Sequence, residues 1–154
     1  MSTQSIHYRV QWGDTDAAGI VFYPNYFRWF DHAGLEFLRA LGLALEMLMS
    51  QHQIILPIID AGCRFHRPAR YSDLLTIETT ITEMRARTFR FEYRVFCAGE
   101  ITGIGYEVRG CVRSPAGKDG KLDLIALPEE IRSRLAGEHP DTGDIQASEV
   151  NTLG

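Results

Sequence analysis

Apolar and polar residues alternate near the start of the chain. Ile6, Tyr8, Val10 and Trp12 fall on one side and His7, Arg9 and Gln11 on the other, the two-residue period of a half-buried strand ending near Gly13. The period then changes. From 25 to about 41, the large apolar side chains Phe27, Phe30, Phe37, Leu38 and Leu41, with Gly34 among them, recur at three- and four-residue spacing, which predicts an amphipathic helix. Pro24 suits its first turn, where a missing N–H costs nothing, and Gly42 is a natural stop. A shorter helix is expected over 43–51, and 54–59 reads as a buried strand interrupted by Pro57, hence an edge or a bulge. Four long segments rich in Thr, Ile, Val, Phe and Tyr follow, at 61–67, 73–84, 87–97 and 101–113, joined by short connections that suit antiparallel hairpins. Residues 118–121 predict one more turn, 122–126 a brief strand, and Pro128-Glu129-Glu130 a last helix that packs through Ile131 and Leu135.

One long helix followed by a run of antiparallel strands predicts an α+β fold in which the sheet wraps a central helix. Residues 1–136 read as a single domain without internal repeats, and 137–154 as an acidic, disordered tail with too few apolar groups to fold by itself. Composition agrees: of 154 residues, 45% are hydrophobic and 23% charged, the range of a soluble globular domain able to bury a core without disulfides or metal. The net charge of −4 resides in the tail, where Glu138, Asp141, Asp144 and Glu149 meet no Lys or Arg; the body is neutral. A neutral body lacks the basic excess of a nucleic-acid binder. Cys63, Cys97 and Cys111 have neither zinc-ligand nor paired-disulfide spacing, so they read as small core residues, and no metal site is expected. With no leader-like start and no apolar run of membrane length, a cytoplasmic protein is expected.

The chemistry concentrates before the helix. Asp14 and Asp16 occupy a glycine-bounded loop that runs into it. Amides at a helix start can hold an oxyanion while a nearby carboxylate serves as base or nucleophile; equally, either acid can simply cap the loop. Residues 13–26, GDTDAAGIVFYPNY, resemble the signature of the 4-hydroxybenzoyl-CoA thioesterase family of hot-dog-fold enzymes, in its Pseudomonas-type aromatic branch. The similarity continues through Arg28, Trp29 and Asp31, through PARYSDLLTIE at 68–78, and on to 82–89.

The resemblance implies a long helix wrapped by an antiparallel sheet, dimers with a continuous larger sheet, often dimers of dimers, and active sites at subunit interfaces. It implies hydrolysis of an acyl-CoA thioester without a cofactor, coenzyme A being part of the substrate. Asp16 matches the catalytic carboxylate, acting as nucleophile or as general base, with direct attack favoured by the aromatic-type motif. The backbone amide of Tyr23 matches the oxyanion donor, and Gly19 lets the loop turn. Arg85, Arg87, Thr88 and Arg90 match a basic segment that contacts coenzyme A, although Arg64, Arg67 and Arg70 form an equally dense cluster. Trp12 and Phe22 flank the motif as pocket candidates, equally well explained by core packing. Asp31, beside the apolar stripe of the helix, either lines the acyl pocket or pairs structurally with Arg28, with His32 or across an interface. Three positions depart from the family: Pro24 stands where another large branch has histidine, Asp60 where the aromatic branch has a small hydroxyl residue, and Ala86 where it has a basic one. The expected substrate is an aromatic, hydroxybenzoyl-like acyl-CoA. The alternatives are a short or branched aliphatic acyl-CoA or an acyl carrier protein, and, disfavoured by the complete motif, a silent acyl-CoA-binding module. His66 reads as a packed or surface group, and Gly103-Ile104-Gly105, with no helix after it, is no dinucleotide fingerprint.

Overall fold

The computed structural model describes residues 2–114 and 119–138. Strand β1 (Thr3–Arg9) leads through a 3-10 turn at Trp12–Asp14 to the long helix α1 (Pro24–Ala40). A short α2 (Leu45–Met47) widens into a π-type turn at Leu48–His52. Strands β2 (Ile54–Ile55), β3 (Ile58–Phe65), β4 (Leu74–Met84), β5 (Thr88–Cys97), β6 (Glu100–Gly110) and β7 (Val112–Arg113) follow, and α3 (Glu129–Leu135) comes last. Five strands form one antiparallel sheet in the order β1-β4-β5-β6-β3, with β2 and β7 paired separately. Helix α1 packs on β1, β4 and β6. This is the α+β arrangement that the pattern predicts, and it agrees with the hot-dog fold that the resemblance implies.

The core lies between α1 and the concave face of the sheet. Phe30, Phe37 and Leu38 of the helix are fully buried against Leu75, Ile77 and Ile81 of β4 and Phe89, Phe91 and Tyr93 of β5. β6 supplies a different surface to the same interior, because its buried positions include Gly103, Gly105, Glu107 and Arg109. The glycines make room for rings: a Cβ at Gly105 would sit 2.2 Å from Phe30 Cε2, and one at Gly103 3.1 Å from Tyr26 Cε1. Phe30 is also stacked on Tyr93, with centroids 4.7 Å apart, so its ring has nowhere to retreat. Gly105→Ala is therefore expected to destabilise by about 1–3 kcal/mol through overpacking. A calorimetric Tm lower by roughly 2–12 °C would show it, and an unchanged Tm would mean that the ring yields.

Several elements differ from the pattern. β1 ends at Arg9, and Trp12 is 77% exposed rather than facing inward, because the Gln11 amide turns to donate to Asp14 and pulls the chain off the sheet. The expected buried strand 54–59 is split at Pro57, and Ile58 and Ile59 are exposed at the start of β3. β3 is an edge strand, with a register shift between Ile58 and Asp60. The strand expected at 122–126 reduces to a single bridge between Leu124 and Val112. α3 buries Ile131 and Leu135 as expected, and Gly137 and Glu138 close its end by donating to Arg134 and Ser133 carbonyls. The rest of the expected acidic tail, and Lys118 of the expected turn, lie outside the described residues.

Candidate active site

The loop between β1 and α1 is organised by Asp14. The residue is 8% exposed, and its Oδ2 accepts hydrogen bonds from the Tyr8 hydroxyl (2.7 Å) and the Gln11 amide (2.8 Å). Its carbonyl accepts from the Phe22 amide (2.8 Å) and from Nδ2 of buried Asn25 (2.9 Å). One residue thus ties the end of β1, the returning loop and the first turn of α1 together. Thr15 and Val21 then bridge across the loop, and the Val21 amide donates to the Ala69 carbonyl.

Asp16 stands beyond that bridge, exposed. Its amide donates to the Ile20 carbonyl (2.9 Å), its carbonyl accepts from the Gly19 amide (3.0 Å), and carboxylate Oδ1 accepts from the Ala18 amide (2.9 Å). Gly19 has φ +77°, the left-handed conformation that favours glycine, so the turn presenting Asp16 depends on it. At the helix start Pro24 has no N–H, and the Asn25 and Tyr26 amides donate to the Phe22 and Tyr23 carbonyls. The Tyr23 amide has no protein acceptor among the described residues. An oriented carboxylate and an uncommitted amide therefore flank one short loop. Beside them opens an apolar recess of about 330 Å³, lined by Ile20, Val21, Tyr23, Tyr26, Phe65 and His66 among others.

Other expected site residues lie apart from this recess. Trp12 rests edge-on against Tyr71, and Phe22 is 48% exposed; in the single chain both are surface groups outside the core. Asp60, on β3, accepts from the Tyr106 hydroxyl at 3.3 Å. Arg85, Thr88 and Arg90 share a recess of about 310 Å³ with Ile59, Glu83 and Val108, whereas Arg87 is exposed outside it. Arg85 is paired with Glu83, and the Arg90 guanidinium lies 3.8 Å over the Tyr106 ring. Of the rival arginines, Arg64 borders a neighbouring recess with Arg90, and Arg67 is paired with Glu100.

Asp31 pairs with neither of its expected partners on the helix. Its half-exposed carboxylate accepts through Oδ1 from Arg109 Nη2, 3.0 Å away on β6. Arg109 also binds Glu107, which accepts from the Tyr93 hydroxyl at 2.6 Å. Burial pushes the Glu107 carboxyl above its ordinary range, opposed by Arg109 and the Tyr93 hydroxyl. This buried set, and Asn25, escape sequence reasoning; the one available signal is that Glu107 and Arg109 share the two-residue register of Gly103 and Gly105. Burial pushes the Cys63 thiol up to about 11, which leaves it a neutral thiol near pH 7. Among the described residues no group of three or more His, Cys, Asp and Glu is placed to hold a metal ion, and no helix is long and apolar enough to cross a membrane.

The sequence pattern of the thioesterase superfamily matches residues 18–104, more than half of the chain. The chain belongs to that superfamily. This thioesterase is 34% identical over 127 residues to a 1,4-dihydroxy-2-naphthoyl-CoA hydrolase of Synechococcus elongatus, covering 82% of the chain and 90% of that protein. It is 39% identical over 83 residues to a 4-hydroxybenzoyl-CoA thioesterase of Pseudomonas sp. strain CBS-3, covering 53% and 59%. Its structure is similar to that of a gentisyl-coenzyme A thioesterase, with a TM-score of 0.74 at 36% identity over 84% of this chain and 99% of the other. The thioesterase is thus a hydrolase with the hot-dog fold.

Proposed function

We propose that this thioesterase hydrolyses an aromatic, hydroxybenzoyl-type acyl-CoA, with Asp16 as its catalytic carboxylate and the Tyr23 amide as its oxyanion donor. The observation that carries this reading is the pairing of an exposed, oriented carboxylate with a helix-start amide that has no protein acceptor among the described residues, on one loop beside an apolar recess. The thioester carbonyl oxygen points at the Tyr23 N–H, which stabilises the charge that develops there. Asp16 either attacks the carbonyl carbon, breaking the C–S bond to release coenzyme A thiolate and leaving an anhydride for water to open, or takes a proton from the water that attacks. Neither route requires a metal or a further cofactor. The recess bearing Arg85, Thr88 and Arg90 suits the coenzyme A phosphates. Three free thiols suit the reducing cytoplasm.

Active sites at subunit interfaces, which the family resemblance implies, make the working unit a dimer or a dimer of dimers, in which Asp31 of one copy faces the acyl group held at Tyr23 of the other. The exposed edge strand β3 offers the surface for pairing. Hydroxylated aromatic acyl groups stand in the names of two relatives, and Asp31 provides a carboxylate that a ring hydroxyl would satisfy. With a panel of acyl-CoAs assayed for thiol release, aromatic substrates should lead. Asp31→Ala should lower kcat/KM for 4-hydroxybenzoyl-CoA more than for benzoyl-CoA, by about 1–3 kcal/mol for one lost buried hydrogen bond. Equal losses would make Asp31 structural, and a clear preference for aliphatic thioesters would remove the aromatic reading.

A further inference from the structure

We propose that Arg109, inside the core, is a positioning residue that fixes the Asp31 carboxylate in the orientation that reads a hydroxyl on the acyl group; this rests on the reading of Asp31 given above. The side chain of Arg109 is 3% exposed, and each of its nitrogens is engaged. Nε and Nη2 donate to Glu107 Oε1 (3.2 and 3.0 Å), Nη1 donates to the Leu56 carbonyl (3.2 Å), and Nη2 reaches Asp31 Oδ1 at 3.0 Å. Glu107, 2% exposed at its side chain, is the counter-charge that a buried guanidinium requires. The buried charge is therefore balanced before Asp31 is counted.

Asp31 adds a second carboxylate to a neutral pair, and its side chain is 51% exposed. A carboxylate recruited only to neutralise Arg109 would be redundant. One held by a single oxygen from inside, and facing outward, is presented for use. Its holder is rigid. The planar guanidinium is pinned by Glu107 and Leu56, and Glu107 in turn by the Tyr93 hydroxyl. Gly34, three residues after Asp31, lets α1 lie against that hydroxyl, since a Cβ there would come within 2.4 Å of the Tyr93 oxygen. Helix, guanidinium and carboxylate thus form one frame. With Oδ1 committed to Arg109, Oδ2 is left as an acceptor, which welcomes a phenolic O–H and repels an acyl group that carries a carboxylate at the same place.

The test compares kcat/KM for 4-hydroxybenzoyl-CoA with that for benzoyl-CoA in the wild type and in Asp31→Ala, Arg109→Lys and the charge-balanced double variant Glu107→Gln/Arg109→Met. Lysine keeps the charge but loses the fork; the double variant removes the fork without leaving an unpaired buried charge, so it decides the matter if Arg109→Lys does not fold. The expected result is a fall in the hydroxybenzoyl-to-benzoyl ratio by about fivefold or more in the Arg109 variants, toward the ratio of Asp31→Ala. A purely structural Arg109 would slow both substrates equally and leave the ratio intact. A ratio that shifts in Asp31→Ala but not in the folded Arg109 variants overturns this proposal alone, whereas a ratio unmoved by Asp31→Ala overturns the reading of Asp31 as well.

Discussion

Asp16→Asn is expected to lower kcat for thiol release by about 10²–10⁴-fold, the range for loss of a positioned catalytic base, while KM and Tm stay near the wild-type values. The side chain is exposed, and its hydrogen bond inside the protein is to Oδ1, from the Ala18 amide. An asparagine carbonyl oxygen accepts that bond equally well, so the loop keeps its shape and the variant loses only charge, basicity and nucleophilicity. Asp14→Asn should show the reverse profile. Its Oδ2 serves two donors in a nearly closed environment, the Tyr8 hydroxyl and the Gln11 amide. An asparagine amide turned so that its oxygen faces both donors keeps the two hydrogen bonds but removes the charge that strengthens them, at a cost of about 1 kcal/mol in stability. Thermal melts and steady-state assays on the two variants separate the roles. A stable but inactive Asp14→Asn beside an active Asp16→Asn would move the catalytic assignment to Asp14.

The parts of this architecture that follow from local rules were legible in the sequence. The aromatic and leucine spacing of α1 places its bounds at Pro24–Ala40, within a residue or so of the 25–41 expected, because burial against a sheet demands that period. The loop residues Asp16, Gly19 and Tyr23 lie in one contiguous motif, and the geometry of such a motif travels with its sequence. Trp12 was misplaced because alternation alone does not reveal that Asp14 captures the Gln11 amide and ends the strand. β6 misleads more deeply. Its apolar residues Ile104, Tyr106 and Val108 are only half-buried, while Gly103, Gly105, Glu107 and Arg109 are buried under α1. The rings of Tyr26 and Phe30 occupy the space where β6 side chains would otherwise stand, so the usual hydrophobic signal is inverted. Arg109 and Asp31 are 78 residues apart, and nothing in the local pattern of either announces the other.

That inverted face carries the largest stability effect to be expected from a single substitution. Arg109→Met should destabilise the fold by about 3–5 kcal/mol, the cost of leaving a buried partner charge uncompensated, or roughly 6–20 °C in Tm for a domain of this size. The loss comes from Glu107, which the variant leaves in the interior with the Tyr93 hydroxyl as its remaining donor. Burial already holds the Glu107 carboxyl above its ordinary range, with Arg109 the chief group restraining the rise. Without the guanidinium it rises further, and the folded chain then binds a proton that the unfolded chain has released. Stability of the variant accordingly falls as pH climbs from the ordinary carboxylate range through the raised value, and the deficit against wild type is smaller at pH 5 than at pH 7.5. Adding Glu107→Gln should restore most of the lost stability and flatten that dependence, because the amide still accepts from Tyr93 and carries no charge to protonate. Urea melts of the wild type, the single variant and the double variant at the two pH values give the comparison. If Arg109→Met were as stable as wild type at pH 7.5, Glu107 would have to be already protonated in the native protein, and the ion pair at the centre of this fold would not exist.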